Sequence, residues 1–158
     1  MLEEQKEIQK EFRRQKEKYV YYLIALAVTA IGFSVLKTTG TPLNIRQIPL
    51  AMAVLSWSIS IYSGLTFLKY TMNILFANNA YFDVVSGPYV DLPNHPDYID
   101  AATKGIKQGM ESLKIKASKF PQRQDYFFYG GIFLFLFWHV LEMYYSIPIE
   151  AKIAYSFL

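Results

Sequence analysis

Ile48 to Leu68 reads IPLAMAVLSWSISIYSGLTFL, 21 residues without a charge. At a rise of about 1.5 Å per residue, roughly 20 residues cross a hydrocarbon core of about 30 Å. A helix buried in a water-soluble protein keeps a polar face over such a length, and this one has none, so the stretch reads as a membrane span. Two more runs flank it. Tyr19 to Leu36 has 18 residues without a charge, and Tyr126 to Leu141 has 16, containing His139 and continuing past Glu142 to Ile147.

The remaining composition agrees with life in lipid: 53% of the 158 residues are apolar and 17% aromatic. No cysteine is present, which excludes disulfides, thiolate metal sites and cysteine nucleophiles. Met1 to Lys18 is crowded with Glu, Lys and Arg and lacks a small-residue cleavage site, so it reads as retained chain and not as a signal or transit peptide.

The basic residues set an expected orientation. Six precede the first span (Lys6, Lys10, Arg13, Arg14, Lys16, Lys18) and seven lie from Lys69 through Arg123. The loop between spans one and two has only Lys37 and Arg46, and the tail only Lys152. The positive-inside rule therefore expects the N-terminus and the 69–125 segment in the cytoplasm, with the short 37–47 loop and the C-terminus outside. Tyr19, Tyr21, Tyr22, Tyr70, Tyr126 and Tyr129 would mark the inner interface, and Tyr144 with Tyr145 the outer one.

The expected fold is thus an all-α integral membrane protein with three transmembrane helices, an antiparallel hairpin plus a third helix. A charged N-terminal helix and a cytoplasmic amphipathic helix complete it. The expected divisions are a charged cytoplasmic helix over 1–18 and a helical hairpin over 19–68 turning at Gly40, Pro42 and Asn44. A cytoplasmic segment follows over 69–125, then a third span over 126–147 and an external tail over 148–158. Within the cytoplasmic segment, Tyr70 to Tyr81 can prolong the second helix, and YFDVVSGPYVDL (81–92) reads as a short hairpin or an irregular loop.

An amphipathic helix is expected over 97–118, opened by Pro96 with Asp97 and Asp100 at its positive end. Ile99, Ala102, Ile106, Met110, Leu113 and Ala117 recur at spacings of three and four. Lys104, Lys107, Lys114, Lys116, Lys119 and Arg123 carry the opposite face and tail, suited to an anionic membrane surface or to a partner. Gly105 and Gly109, four apart, would let another helix approach, which favours packing over lying on the leaflet.

Two constellations inside the spans are candidate sites. Ser56, Ser60 and Gly64 recur at four-residue spacing, a small and mildly polar stripe suited to helix packing or to lining a pore. Ala25, Thr29 and Gly32 of span one offer a complementary surface. His139 and Glu142 share a face of span three; intramembrane ionisable groups are costly, so they read either as structural partners, Glu142 to Arg46 and His139 to a serine, or as an ion or proton path.

No nucleophile elbow, P-loop, dinucleotide fingerprint or nucleic-acid module occurs, so no enzyme, no cofactor and no nucleic-acid partner are expected. Asp91, Asn94, His95, Asp97 and Asp100 lack zinc or calcium-loop spacing and read as helix capping, with no metal. The plan of a charged helix, a membrane hairpin and a cytoplasmic extension is broadly similar to small two-span effector and accessory proteins of bacterial conflict systems. That architectural resemblance rests on no shared motif, and the third span departs from it; it implies an effector or scaffold role in a bacterial inner membrane. The expected function is a non-enzymatic, self-associating membrane subunit, a homo-oligomer through the serine face, that docks a cytoplasmic protein or signal. The alternative is a small oligomeric channel or pore gated by the 69–125 segment.

Overall fold

The computed structural model describes residues 2–40, 44–86 and 96–146. It consists of three long helices, α1 (Leu2–Thr38), α2 (Ile48–Ser86) and α3 (Pro96–Ser146), with a 3-10 turn at Ile45–Gln47 before α2. The tail 148–158 and residues Asp91, Asn94 and His95 lie outside the described residues. Gly40 follows α1 with a φ of 81°, the left-handed conformation that glycine adopts at no steric cost after a helix end.

The most apolar 18-residue windows of the three helices have mean hydropathies of 2.0, 1.5 and 1.4, and only 22, 33 and 17% of each window is buried inside the protein. All three helices are long and apolar enough to cross a membrane. Most of their apolar surface faces outward, as hydrocarbon surroundings allow and water penalises. At 37, 39 and 51 residues the helices measure roughly 55, 60 and 75 Å, far beyond a hydrocarbon core of about 30 Å.

The chain forms two compact units, and each helix contributes to both: unit 1 is Met1–Val20 with Tyr62–Arg123, and unit 2 is Tyr21–Ile61 with Gln124–Leu158. Unit 1 gathers the polar halves. Tyr70 stacks on Phe120 with centroids 5.6 Å apart, and the Lys107 ammonium lies 5.2 Å from the Tyr81 ring centre, so α2 and α3 run antiparallel here. Lys16 lies 5.3 Å from the Phe67 ring centre and ties α1 to α2. The amphipathic reading of 97–118 holds: Ile99, Ala102, Ile106, Met110 and Leu113 are partly buried, Ala117 is buried, and the six basic residues named with them are exposed.

Three expectations are corrected in this unit. Residues 81–86 are helix, with Val84 buried, where a hairpin or loop was the sequence reading. The amphipathic helix and the third span are one unbroken helix that runs through Pro121. Pro removes one hydrogen bond and costs about 3 kcal/mol in a helix interior, yet neighbouring packing holds the line, with Phe120 stacked on Tyr70 directly before it. Gly105 and Gly109 have open space where a side chain would stand, so the Ile–Met stripe packs and the glycines do not.

Unit 2 has a core of Leu23, Ala27, Ala53, Trp57 and Phe128, one or two residues from each helix. Phe135 of α3 sits between Phe33, Trp57 and Trp138, at centroid distances of 6.2, 5.8 and 5.7 Å. The Trp57 indole lies against Gly131 of α3. A methyl group there would meet indole Nε1, and would come within 2.6 and 2.9 Å of Cδ1 and Cε2. Ala25, Thr29 and Gly32 are exposed and do not form the expected surface for the serine stripe; α3 takes that place.

Overpacking of this kind costs typically about 1–3 kcal/mol. Gly131→Ala should therefore lower the midpoint of thermal unfolding in detergent, while Gly32→Ala, which meets open space, should leave it unchanged or raise it through helix propensity. A Gly131→Ala variant as stable as the parent would show that the indole is free to move away.

Candidate functional site

Ser56 and Ser60 of the stripe belong to unit 2. Ser56 Oγ donates to the Phe127 carbonyl at 2.7 Å and Ser60 Oγ to the Gln124 carbonyl at 2.9 Å; Ser60 and Gln124 are fully buried. Gly64 is buried as well. These hydroxyls thus hold α3 of the same chain, and the face expected to carry self-association or to line a pore is occupied within one protomer. Ser58, off this face, turns to its own helix and donates to the Val54 carbonyl at 2.8 Å.

The polar residues of the third span are brought to its surface. His139 and Glu142 are both exposed. Arg46 stands over the Tyr145 ring, 4.5 Å from its centre, and forms no ion pair with Glu142. His139 contacts the Trp138 ring at 6.4 Å, and Ser56, Ser58 and Ser60 of the second span donate to main-chain carbonyls. Among the described residues no group of three or more His, Cys, Asp or Glu is placed to hold a metal ion, and Asp97 and Asp100 are exposed at the start of α3.

An open cleft of about 460 Å³ with both charged and apolar lining lies in unit 1, and all three helices contribute to it. Its apolar surface comes from Phe12 of α1, Phe67, Ile74 and Leu75 of α2, and Met110 and Ala117 of α3. Its charged groups are Arg13, Lys16 and Lys114, and no carboxylate lines it. Of the basic residues expected at a surface or partner contact, Lys114 alone lines the cleft. Lys104, Lys107, Lys116, Lys119 and Arg123 occupy the exposed face of α3 outside it. Arg13, Lys16 and Phe67 were not singled out as site residues, because they converge only when α1 packs on α2; the one sequence signal was basic residues of α1 just ahead of an apolar run.

Comparison with protein-family models, curated proteins and solved structures finds no match for this chain. The arrangement itself therefore carries the functional argument.

Interhelical hydrogen bonds in a membrane average about 0.6 kcal/mol and reach about 1.7. Ser60→Ala should lower stability in detergent by an amount in that range, and Ser58→Ala, whose hydroxyl serves only its own helix, should not. Equal effects of the two substitutions would mean that the bond to Gln124 does not hold the helices together.

Proposed function

We propose that this chain is a non-enzymatic, membrane-embedded subunit whose unit 1 docks a protein on the cytoplasmic side. The observation that carries the reading is apolar surface where lipid is not expected to cover it. Met72, Phe76, Phe82 and Val85, on the part of α2 that follows its apolar run, are 56 to 68% exposed. Exposed large apolar side chains beyond a membrane-spanning run, rimmed by polar residues, are features of interaction sites. The exposed lysines of α3 beside them supply polar rim and steering charge, the usual surround of a protein interface.

The orientation is part of the proposal and follows from the basic residues of 1–18 and 69–125. Docking is favoured over a pore because Ser56 and Ser60 already donate to main-chain carbonyls of α3. A mixed assembly with a soluble protein is accordingly the expected state in the host membrane.

Site-specific photocrosslinking in intact cells tests this. A crosslinking residue at Phe76 or Phe82 should give one discrete protein adduct, and the same residue at Leu55 or Phe133, on the apolar runs, should not. Absence of an adduct from every unit 1 position, with ion flux through the purified protein in liposomes, would replace docking by the pore.

A further inference from the structure

The cleft of unit 1 differs from the exposed face of α2 in being cationic as well as apolar. Arg13, Lys16 and Lys114 come from two helices and face a shared volume of about 460 Å³ without a carboxylate among the lining residues. Like charges gathered without a counter-charge repel one another, and an anionic ligand relieves that repulsion. The accessible apolar side of the same volume, Phe12 and Met110, suits hydrocarbon. An occupant that satisfies both is anionic at one end and aliphatic at the other.

Its position selects among such molecules. Lys16 lies three residues before Tyr19, where the first apolar run begins, and Phe67 lies within the second run. The cleft therefore begins where a bilayer headgroup layer would meet these helices. Basic pockets between helices at the cytoplasmic surface are a known form of headgroup recognition. We propose that this cleft binds the headgroup of one anionic phospholipid of the surrounding leaflet, its phosphate held by Arg13, Lys16 and Lys114. The inference rests on the bilayer location in the proposed function and not on the docking of a protein.

The test is native mass spectrometry of the full-length chain, released from detergent after incubation with phosphatidylglycerol or phosphatidylcholine at equal concentration. The expected result is one phosphatidylglycerol retained per chain and phosphatidylcholine retained several-fold less. Arg13→Gln with Lys114→Gln, both at exposed positions, should reduce retention by roughly an order of magnitude, as the loss of two surface cations implies. Lys104→Gln with Lys116→Gln, which removes the same charge outside the cleft, should not. Met110→Trp, which fills the cleft and keeps every charge, should also abolish retention.

Equal loss from the control pair would reduce the effect to diffuse charge and overturn the proposal, as would equal retention of the zwitterionic lipid. Glycerol phosphate competing as well as the whole lipid would make this a free-anion site, and a dimer lost in the same variants would make it an interface between copies; either overturns it. Extraction of the protein from membranes by alkaline carbonate reports separately on bilayer insertion, so failure of the lipid site is distinguishable from failure of the membrane reading.

Discussion

A helix surrounded by hydrocarbon gains little by exchanging lipid contacts for those of another apolar helix, because both are equally nonpolar. Association must come from contacts that lipid cannot make: close approach of backbones, and hydrogen bonds withheld from a solvent without partners. Both occur where α2 meets α3 in unit 2. Trp57 lies flat on Gly131, and Ser56 and Ser60 donate to carbonyls one to two turns earlier on α3. The aromatic cluster about Phe135 and the α1 residues Leu23 and Ala27 pack around that contact.

Helices longer than a bilayer is thick pose a second requirement, since their excess length has to be stable in water. In unit 1 segments of all three helices pack together. The period-matched stripe Ile99 to Ala117 turns inward and the lysines outward, as water-driven burial demands. These segments do not cover all of their apolar surface, and the uncovered part on α2 carries the docking reading.

The three apolar helices and the amphipathic stripe were legible in the sequence because each is a property of one helix. What stayed hidden depends on pairs of helices. Val84, Val85, Tyr81 and Phe82 have strand-like propensity, and packing of Val84 and Tyr81 in unit 1 keeps them helical. Pro121 reads as a break until the stacking of Phe120 on Tyr70 is seen. The serine stripe was recognised as a packing device, but its partner was sought in Ala25, Thr29 and Gly32; the adjacent glycines at 130 and 131, within an aromatic-rich run, were the overlooked cue. The cleft combines residues more than 90 positions apart, and no local pattern announces it.

The acceptors of Ser56 and Ser60 are main-chain carbonyls, which every residue possesses. The bonds therefore specify a height and an azimuth along α3 and are indifferent to which side chains stand at Gln124 and Phe127. One residue inserted between Phe127 and Gly131 would rotate the glycine about 100° from the indole while the hydroxyls kept their acceptors. The two contacts together act as a vernier, tolerant of altered composition and intolerant of altered length.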